Sequence, residues 1–283
     1  MSQVIPALDK FIQSQKRSAH FSPKGFVSLV GAGPGDAELL TIKAYKAIQA
    51  AEVVLYDCLV DESILALIPD NCIVEYVGKR AGRHSMIQQD ICQRIVYYGL
   101  QGKHVVRLKG GDPAVFARTH EETQALENAY IEYCIVPGIT AASGASAYTG
   151  IPLTQRDCAT SVSFMTASLQ SPDQEPDWQK IVANSRKQTI VIYMGLRKLA
   201  QISQRFTAHG MPFDTPIAIV DKACTKEQTV LKGDLSSIGQ QISSANLQGP
   251  ALIIIGETVN HQQRISQYSY AEYMTTIMHS KAN

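Results

Sequence analysis

Two glycine-rich stretches carry the residues best suited to chemistry. Val105–Pro113 reads VVRLKGGDP, a β-branched strand running into two glycines, an aspartate and a proline. Gly31–Asp36 reads GAGPGD, directly behind the apolar run Val27–Val30. Glycines let backbone N–H and C=O groups approach a ligand that a Cβ would exclude, and a proline ends strand pairing. Alone, VVRLKGGDP reads first as a tight turn behind a buried strand. Its recurrence in a second place shifts the reading to two loops lining one ligand site. GAGPGD sits where a dinucleotide fingerprint would, but Asp36 replaces the third glycine, Pro34 removes a donor from any phosphate cradle, and no Gly-Lys-Ser/Thr follows as a P-loop requires. The loop therefore predicts close backbone approach without phosphate, which argues against a nicotinamide enzyme.

Two further clusters stand at predicted strand ends. YDCLVDE (Tyr56–Glu62) puts Asp57 at the carboxyl end of a strand, where open α/β sheets place ligands, although a carboxylate there also suits a helix cap. VGKRAGRHS (Val77–Ser85) crowds Lys79, Arg80, Arg83 and His84 into one loop. Such a run is either a solvated face or an anion site. The formal net charge of +1 makes no overall case for a nucleic-acid or membrane partner, so an anionic ligand must be met by a local cluster of this kind.

The elements that must position these groups follow from periodicity. Strands are predicted at 26–30, 52–56, 73–77, 104–108 and 131–136, with helices through Leu40–Ile48, Met86–Leu100 and Arg118–Asn128. That alternation implies βαβ units and a doubly wound parallel sheet in a domain spanning 26–138. The small-residue run Thr140–Gly150 predicts a closely packed helix opening a second α/β domain, 139–260. Its strands are expected at 161–167, 189–194, 217–220, 228–232 and 251–256, some antiparallel because the Val220–Gln228 link is too short for a helical crossover. Residues 1–25 read as a polar extension with a short helix near Ala7–Ile12, and 261–283 as a tail.

With 283 residues, 45% of them hydrophobic, the chain can build sizeable cores. Its six cysteines show no CxxC pair and no zinc-ligand spacing, so they read as buried thiols in a reducing compartment, with no metal site. No signal peptide or membrane-spanning run is evident, and the expected location is the cytoplasm.

The ordered series GAGPGD, LYD, VGKRAGRHS, VVRLKGGDP, VPGITAASG, AYTGIPLT, IYMG and GPALIIIG resembles the tetrapyrrole methylase family from Val27 to Gly256. Within that family it is most like the members that methylate uroporphyrinogen III. The resemblance implies two α/β domains with a ligand cleft between them and a homodimer. It implies transfer of methyl groups from S-adenosylmethionine, released as S-adenosylhomocysteine, to two ring carbons of uroporphyrinogen III, giving precorrin-2. It places Pro34, Gly110, Gly111, Asp112, Val115, Thr140, Ala141, Met194 and Ala223 at the cofactor, with Asp57 as proton acceptor and Lys79 as donor. Arg80, Arg83, His84, Arg118 and Arg156 would meet the carboxylate-rich substrate. Cys58, Ala114, Ala117, Thr119, His120, Gln155 and Ala223 depart from the family pattern. The alternatives are another precorrin methylase, an RNA-directed methylase, which the absence of a basic stripe disfavours, or a non-catalytic binder of the same ligands.

Overall fold

The computed structural model describes residues 25–78, 87–168, 175–265 and Ile277. The extension, its expected helix, and Lys79, Arg80, Arg83 and His84 lie outside the described residues. The first half contains β1 (Phe26–Gly31), α1 (Ile42–Gln49), β2 (Val53–Tyr56), α2 (Glu62–Leu65), β3 (Ile73–Tyr76), α3 (Gln88–Leu100), β4 (His104–Lys109), α4 (Thr119–Asn128) and β5 (Glu132–Val136). These strands form one sheet in the order β3-β2-β4-β1-β5, with every pairing parallel.

Alternation along the strands divides the sheet into two buried faces. Val27, Leu29, Val53, Leu55 and Val105 pack with Ile91, Ile95 and Val96 of α3 and Leu126 of α4. Val30, Val54, Val106 and Leu108 face the other way, onto Ala44 and Ile48 of α1 and Ile64 of α2. A parallel sheet covered on both faces is what a chain of βαβ crossovers dictates. Leu40, expected inside the first helix, precedes it. A 3-10 turn at Ala37–Leu39 intervenes, and Thr41 caps α1 by accepting from the Ala44 N–H at 3.1 Å.

The second half contains α5 (Ala141–Thr149), β6 (Ser161–Thr166), α6 (Trp178–Asn184), β7 (Gln188–Tyr193), α7 (Leu199–Ala208), β8 (Pro216–Asp221), β9 (Thr229–Asp234), α8 (Ile238–Ser244) and β10 (Ala251–Ile255). Its sheet runs β6-β7-β10-β8-β9, with only β6 and β7 parallel. The short β8–β9 link makes an antiparallel pair, as its length predicts. One face packs on α6, α7 and α8 through Ile190, Ile192, Phe206 and Ile253. The other takes Ala142 and Ala145 of α5 against Val191, Ala218 and Ile254. The small residues of α5 thus let it lie close to the second sheet.

All six cysteines are free, but only Cys224 is buried; Cys58 is exposed and the other four are half-buried. The expectation of six buried thiols fails because most of them sit where elements end or face a partly open layer. No helix among the described residues is long and apolar enough to cross a membrane.

The loops at the carboxyl ends of β1, β4 and β5 meet without side chains between them. A Cβ on Gly138 would lie 2.4 Å from the Gly111 carbonyl oxygen and 2.9 Å from Gly31 Cα, both backbone atoms. Gly138→Ala is expected to lower unfolding free energy by about 3 kcal/mol. Gly239→Ala, in α8 with nothing nearer than 3.9 Å, is expected to raise it by about 0.5–1 kcal/mol. Urea unfolding of the two variants beside the parent checks both signs.

Candidate functional site

The two glycine stretches that the sequence singles out are bonded to each other. The Gly33 N–H donates to the Gly111 carbonyl at 3.1 Å, and the Gly111 N–H donates to the Gly33 carbonyl at 2.7 Å. Asp112 ties in the third loop: Oδ2 accepts from the Gly138 N–H at 2.9 Å and Oδ1 from the Ala114 N–H at 2.7 Å. Its carboxylate therefore fixes loop geometry.

Gly110 and Gly111 have different reasons to be glycine. A Cβ on Gly110 would strike Leu59 Cβ at 2.5 Å, so that glycine admits the loop after β2. Gly111 has φ +71, and its Cβ would meet only the Ala141 N–H nitrogen at 3.8 Å. Of the pair, only Gly111 turns a bare backbone toward open space, beside the first amide of α5. Val115 is held in the same loop by its N–H to the Asp112 carbonyl, 3.1 Å.

Helix α5 connects the halves. Thr140 Oγ1 and Tyr193 Oη lie 2.6 Å apart, and the same phenol accepts from the Ala142 N–H at 3.1 Å. Pro34 packs on Gly144, where an added Cβ would lie 2.5 Å from the proline Cγ. Tyr148 Oη donates to Asp36 Oδ2 at 2.5 Å. Burial, then the Asp36 carboxylate, pushes the Tyr148 phenol up, and burial does the same to Tyr193. Gly35, at φ +151, abuts the loop after β8: its Cβ would lie 2.8 Å from Thr225 Cγ2 and 3.3 Å from the Ala223 carbonyl oxygen. Beside it, burial pushes the Cys224 thiol up to about 12.

Five of the seven non-glycine residues with positive φ among the described residues lie in the loops after β4, β7 and β8, namely Phe116, Arg118, Met194, Lys222 and Cys224, the others being Tyr130 and Lys187. Strained backbone of this kind persists where the surroundings over-determine it and is frequent at ligand sites. The Phe116 and Tyr193 rings lie 5.0 Å apart and Phe164 lies 5.8 Å from Tyr193, making an aromatic wall beside Met194, which is exposed.

Asp57 follows β2 at the same edge. Its Oδ2 accepts from Arg107 Nη2 at 2.9 Å and its Oδ1 from the Leu59 N–H at 3.1 Å. Arg107 and Lys109, which the sequence reading passes over as part of a β-branched strand, are buried on the α3–α4 face of β4. Both reach Glu122 of α4, Arg107 through Nε at 3.2 Å and Lys109 through Nζ at 2.6 Å. Burial pulls the Lys109 ammonium down, and the Glu122 carboxylate opposes it. The i, i+2 spacing of two cations in an apolar strand is the sequence signal for this set, together with a glutamate on the next helix.

Of the expected substrate arginines, Arg118 and Arg156 are among the described residues. Arg118 donates from Nε and Nη2 to Glu121, both at 2.7 Å, at the start of α4. There the Thr119 hydroxyl, one of the departures from the family pattern, donates to the Pro113 carbonyl and closes the loop. Arg156 is exposed on a turn closed on itself by Gln155 and Ala159, each N–H donating to the other's carbonyl at 2.8 Å. Pro34, Gly111, Asp112, Thr140, Ala141, Met194 and Ala223, by contrast, belong to one connected set of loops.

Residues 27–239 match the model of the tetrapyrrole (corrin/porphyrin) methylases. Siroheme synthase of Photobacterium profundum is 47% identical over 89% of this chain and 53% of its own length, and siroheme synthase 2 of Yersinia enterocolitica is 45% identical over 92% and 54%. The chain spans about half the length of the curated relatives it matches. Among solved structures, uroporphyrin-III C-methyl transferase from Thermus thermophilus, complexed with S-adenosyl homocysteine, aligns with TM-score 0.72 at 35% identity, covering 84% of this chain and 100% of that one. A cobalt precorrin-4 methyltransferase aligns with TM-score 0.74 at 26% identity, covering 85% and 99%. The bonded glycine loops, the α/β architecture and these matches have one reading: the chain belongs to the tetrapyrrole (corrin/porphyrin) methylases.

Proposed function

We infer that this chain is a C-methyltransferase that uses S-adenosylmethionine to methylate uroporphyrinogen III at two ring carbons, giving precorrin-2. We further infer that it works as a cytoplasmic homodimer with domains 26–138 and 139–260. The observation that carries the reading is the joined set of loops, in which Gly111 presents unshielded backbone beside the α5 amino terminus with Asp57 on the neighbouring strand end. The similarity to the Thermus enzyme over its whole length supports the same choice.

The residues fit such a cofactor. Gly111 leaves room that a side chain would fill and Met194 is exposed after β7, and Pro34, Thr140, Ala141 and Ala223 are assigned to the cofactor with them. S-adenosylmethionine supplies a methyl already activated on a sulfonium, so the protein need add no metal or covalent nucleophile. Its task is alignment, which is worth several kcal/mol of barrier. Pro34 on Gly144 and Tyr193 on Thr140 fix one half against the other, so loops from both sheets present a defined surface. Asp57 accepts the proton that must leave the methylated ring to restore conjugation. Each of its oxygens, although hydrogen-bonded, keeps a further lone pair for that purpose. Lys79 is assigned as the proton donor by the family resemblance. Arg80, Arg83, His84, Arg118 and Arg156 supply positive charge for the substrate carboxylates.

Incubation of the purified chain with uroporphyrinogen III and labelled cofactor is expected to add two methyls by mass. No label in the macrocycle sinks the reading, and label appearing only on a more methylated precorrin moves the chain to a later step, the role the cobalt precorrin-4 neighbour has. Asp57→Ala is expected to keep cofactor affinity in calorimetry while methylation slows by about 10²–10⁴-fold; unchanged turnover removes Asp57 from the mechanism. Gly111→Ala is expected to stay folded at a cost of about 1–2 kcal/mol, because the left-handed backbone resists a Cβ, and to lose most cofactor affinity. Normal calorimetric binding by that variant would show that Gly111 is only a turn residue.

A further inference from the structure

Three charges are withdrawn from water behind Asp57. The Glu122 side chain is fully buried, and those of Lys109 and Arg107 are 3% and 5% exposed; only that of Asp57, at 21%, reaches the outside. Two cations and two carboxylates balance. Buried ion sets of this kind are a poor route to stability, because apolar residues of similar volume often do as well. Val105, on the same face of β4, is apolar and fully buried, so this layer accepts such residues.

What the set provides is direction. Every edge of the Arg107 guanidinium is engaged: Nε donates to Glu122 Oε1 at 3.2 Å, Nη1 to the Leu108 carbonyl at 2.6 Å, and Nη2 to Asp57 Oδ2 at 2.9 Å. Glu122 is itself held by Lys109 Nζ at 2.6 Å and by Gln88 Nε2, from α3, at 3.3 Å. The planar group therefore cannot turn, and its one outward edge fixes the Asp57 carboxylate while the Leu59 N–H holds the other oxygen. An ammonium cannot reproduce this, since it lacks the rigid fork.

We propose that Arg107, clamped by Glu122 and Lys109, is a positioning residue for catalysis: it sets the angle at which Asp57 meets the substrate and does not itself touch substrate or cofactor. The proposal rests on the functional reading above. It separates two jobs along β4 and its exit, where the buried charges orient the carboxylate while Gly111, just after them, faces the cofactor.

The test is a double-mutant cycle on kcat, with Asp57→Asn, Arg107→Met and the two combined, under saturating cofactor and uroporphyrinogen III. Each single change is expected to lower kcat about 10²-fold. The pair is expected to be no slower than the slower single, since Arg107 acts only through Asp57. Calorimetric affinity for S-adenosylmethionine is expected to be unchanged throughout, and Arg107→Lys to recover little. Losses that multiply in the pair, or that appear in cofactor affinity, overturn the proposal. Should Arg107→Met fail to fold, the nitrogen-15 signal of the Arg107 Nε–H in the parent and in Asp57→Asn decides it: a signal indifferent to Asp57→Asn overturns the clamp, and a shifted one supports it. A parent chain that methylates no uroporphyrinogen III overturns the functional reading, while the same guanidinium signal still reports whether Arg107 holds Asp57.

Discussion

The meeting of three backbones at Gly31, Gly111 and Gly138 is the constraint on which the site depends. A methyl group on Gly31 would lie 2.6 Å from the Gly138 nitrogen and 2.8 Å from the Gly111 carbonyl oxygen, so the loops leaving β1, β4 and β5 touch main chain to main chain. That contact requires β1 to lie between β4 and β5, which is the order the parallel sheet has. With side chains excluded, the hydrogen bonds between Gly33 and Gly111, and from Gly138 to Asp112, set the loop positions. Recognition by such a surface is by main-chain polar groups, whose placement is fixed by the fold and insensitive to rotamer choice.

Next to this rigid junction, β4 departs from the usual content of a buried parallel strand. Its inner face begins with Val105 and continues with Arg107 and Lys109. The desolvation of these groups is offset by Glu122 and Asp57, and the arrangement works only with all four present, since removing one partner strands a charge in the interior. Stability here comes mainly from the apolar layers on both sheets, and the ionic set is an inclusion within one of them.

Much of the fold was legible because its periodicities are strong. The five strands of the first sheet and helices α3, α4 and α5 lie within a residue or two of where the pattern puts them. Beyond α5, the second half reads as strands alone. Helices α6 and α8 have 7 residues each and so offer too few turns for a periodic signal, while α7 carries Leu199, Ile202 and Phe206 at i, i+3 and i+7, a helical spacing that the strand assignments pass over. At the site, single residues were visible but their partners were not. Asp57 stood out at a strand end, yet its contact with Arg107 spans fifty residues of sequence and exists only because β2 and β4 are neighbours. Tyr193 and Tyr148 went unnoticed for the same reason: each reads as an ordinary tyrosine until α5 is laid against both sheets. The tandem glycines look equivalent in the sequence, and the position of Leu59 beside Gly110 and the positive φ of Gly111 separate their roles.

Thr140, Gly144 and Tyr148 recur every fourth residue, so one stripe of α5 holds Tyr193 of the second sheet at its start and Pro34 and Asp36 of the first-sheet loop further along. The helix works as a toothed rack. A slide of the first half along α5 by a fraction of the 5.4 Å pitch unmates Gly144 from Pro34 and Tyr148 from Asp36, while Thr140 keeps the helix on Tyr193. A rack of three unlike teeth, a hydroxyl, a bare backbone and a phenol, has no second register in which all of them mesh. Loops drawn from two separate sheets are thus indexed to one another along the helix axis, and the surface they share has a single setting.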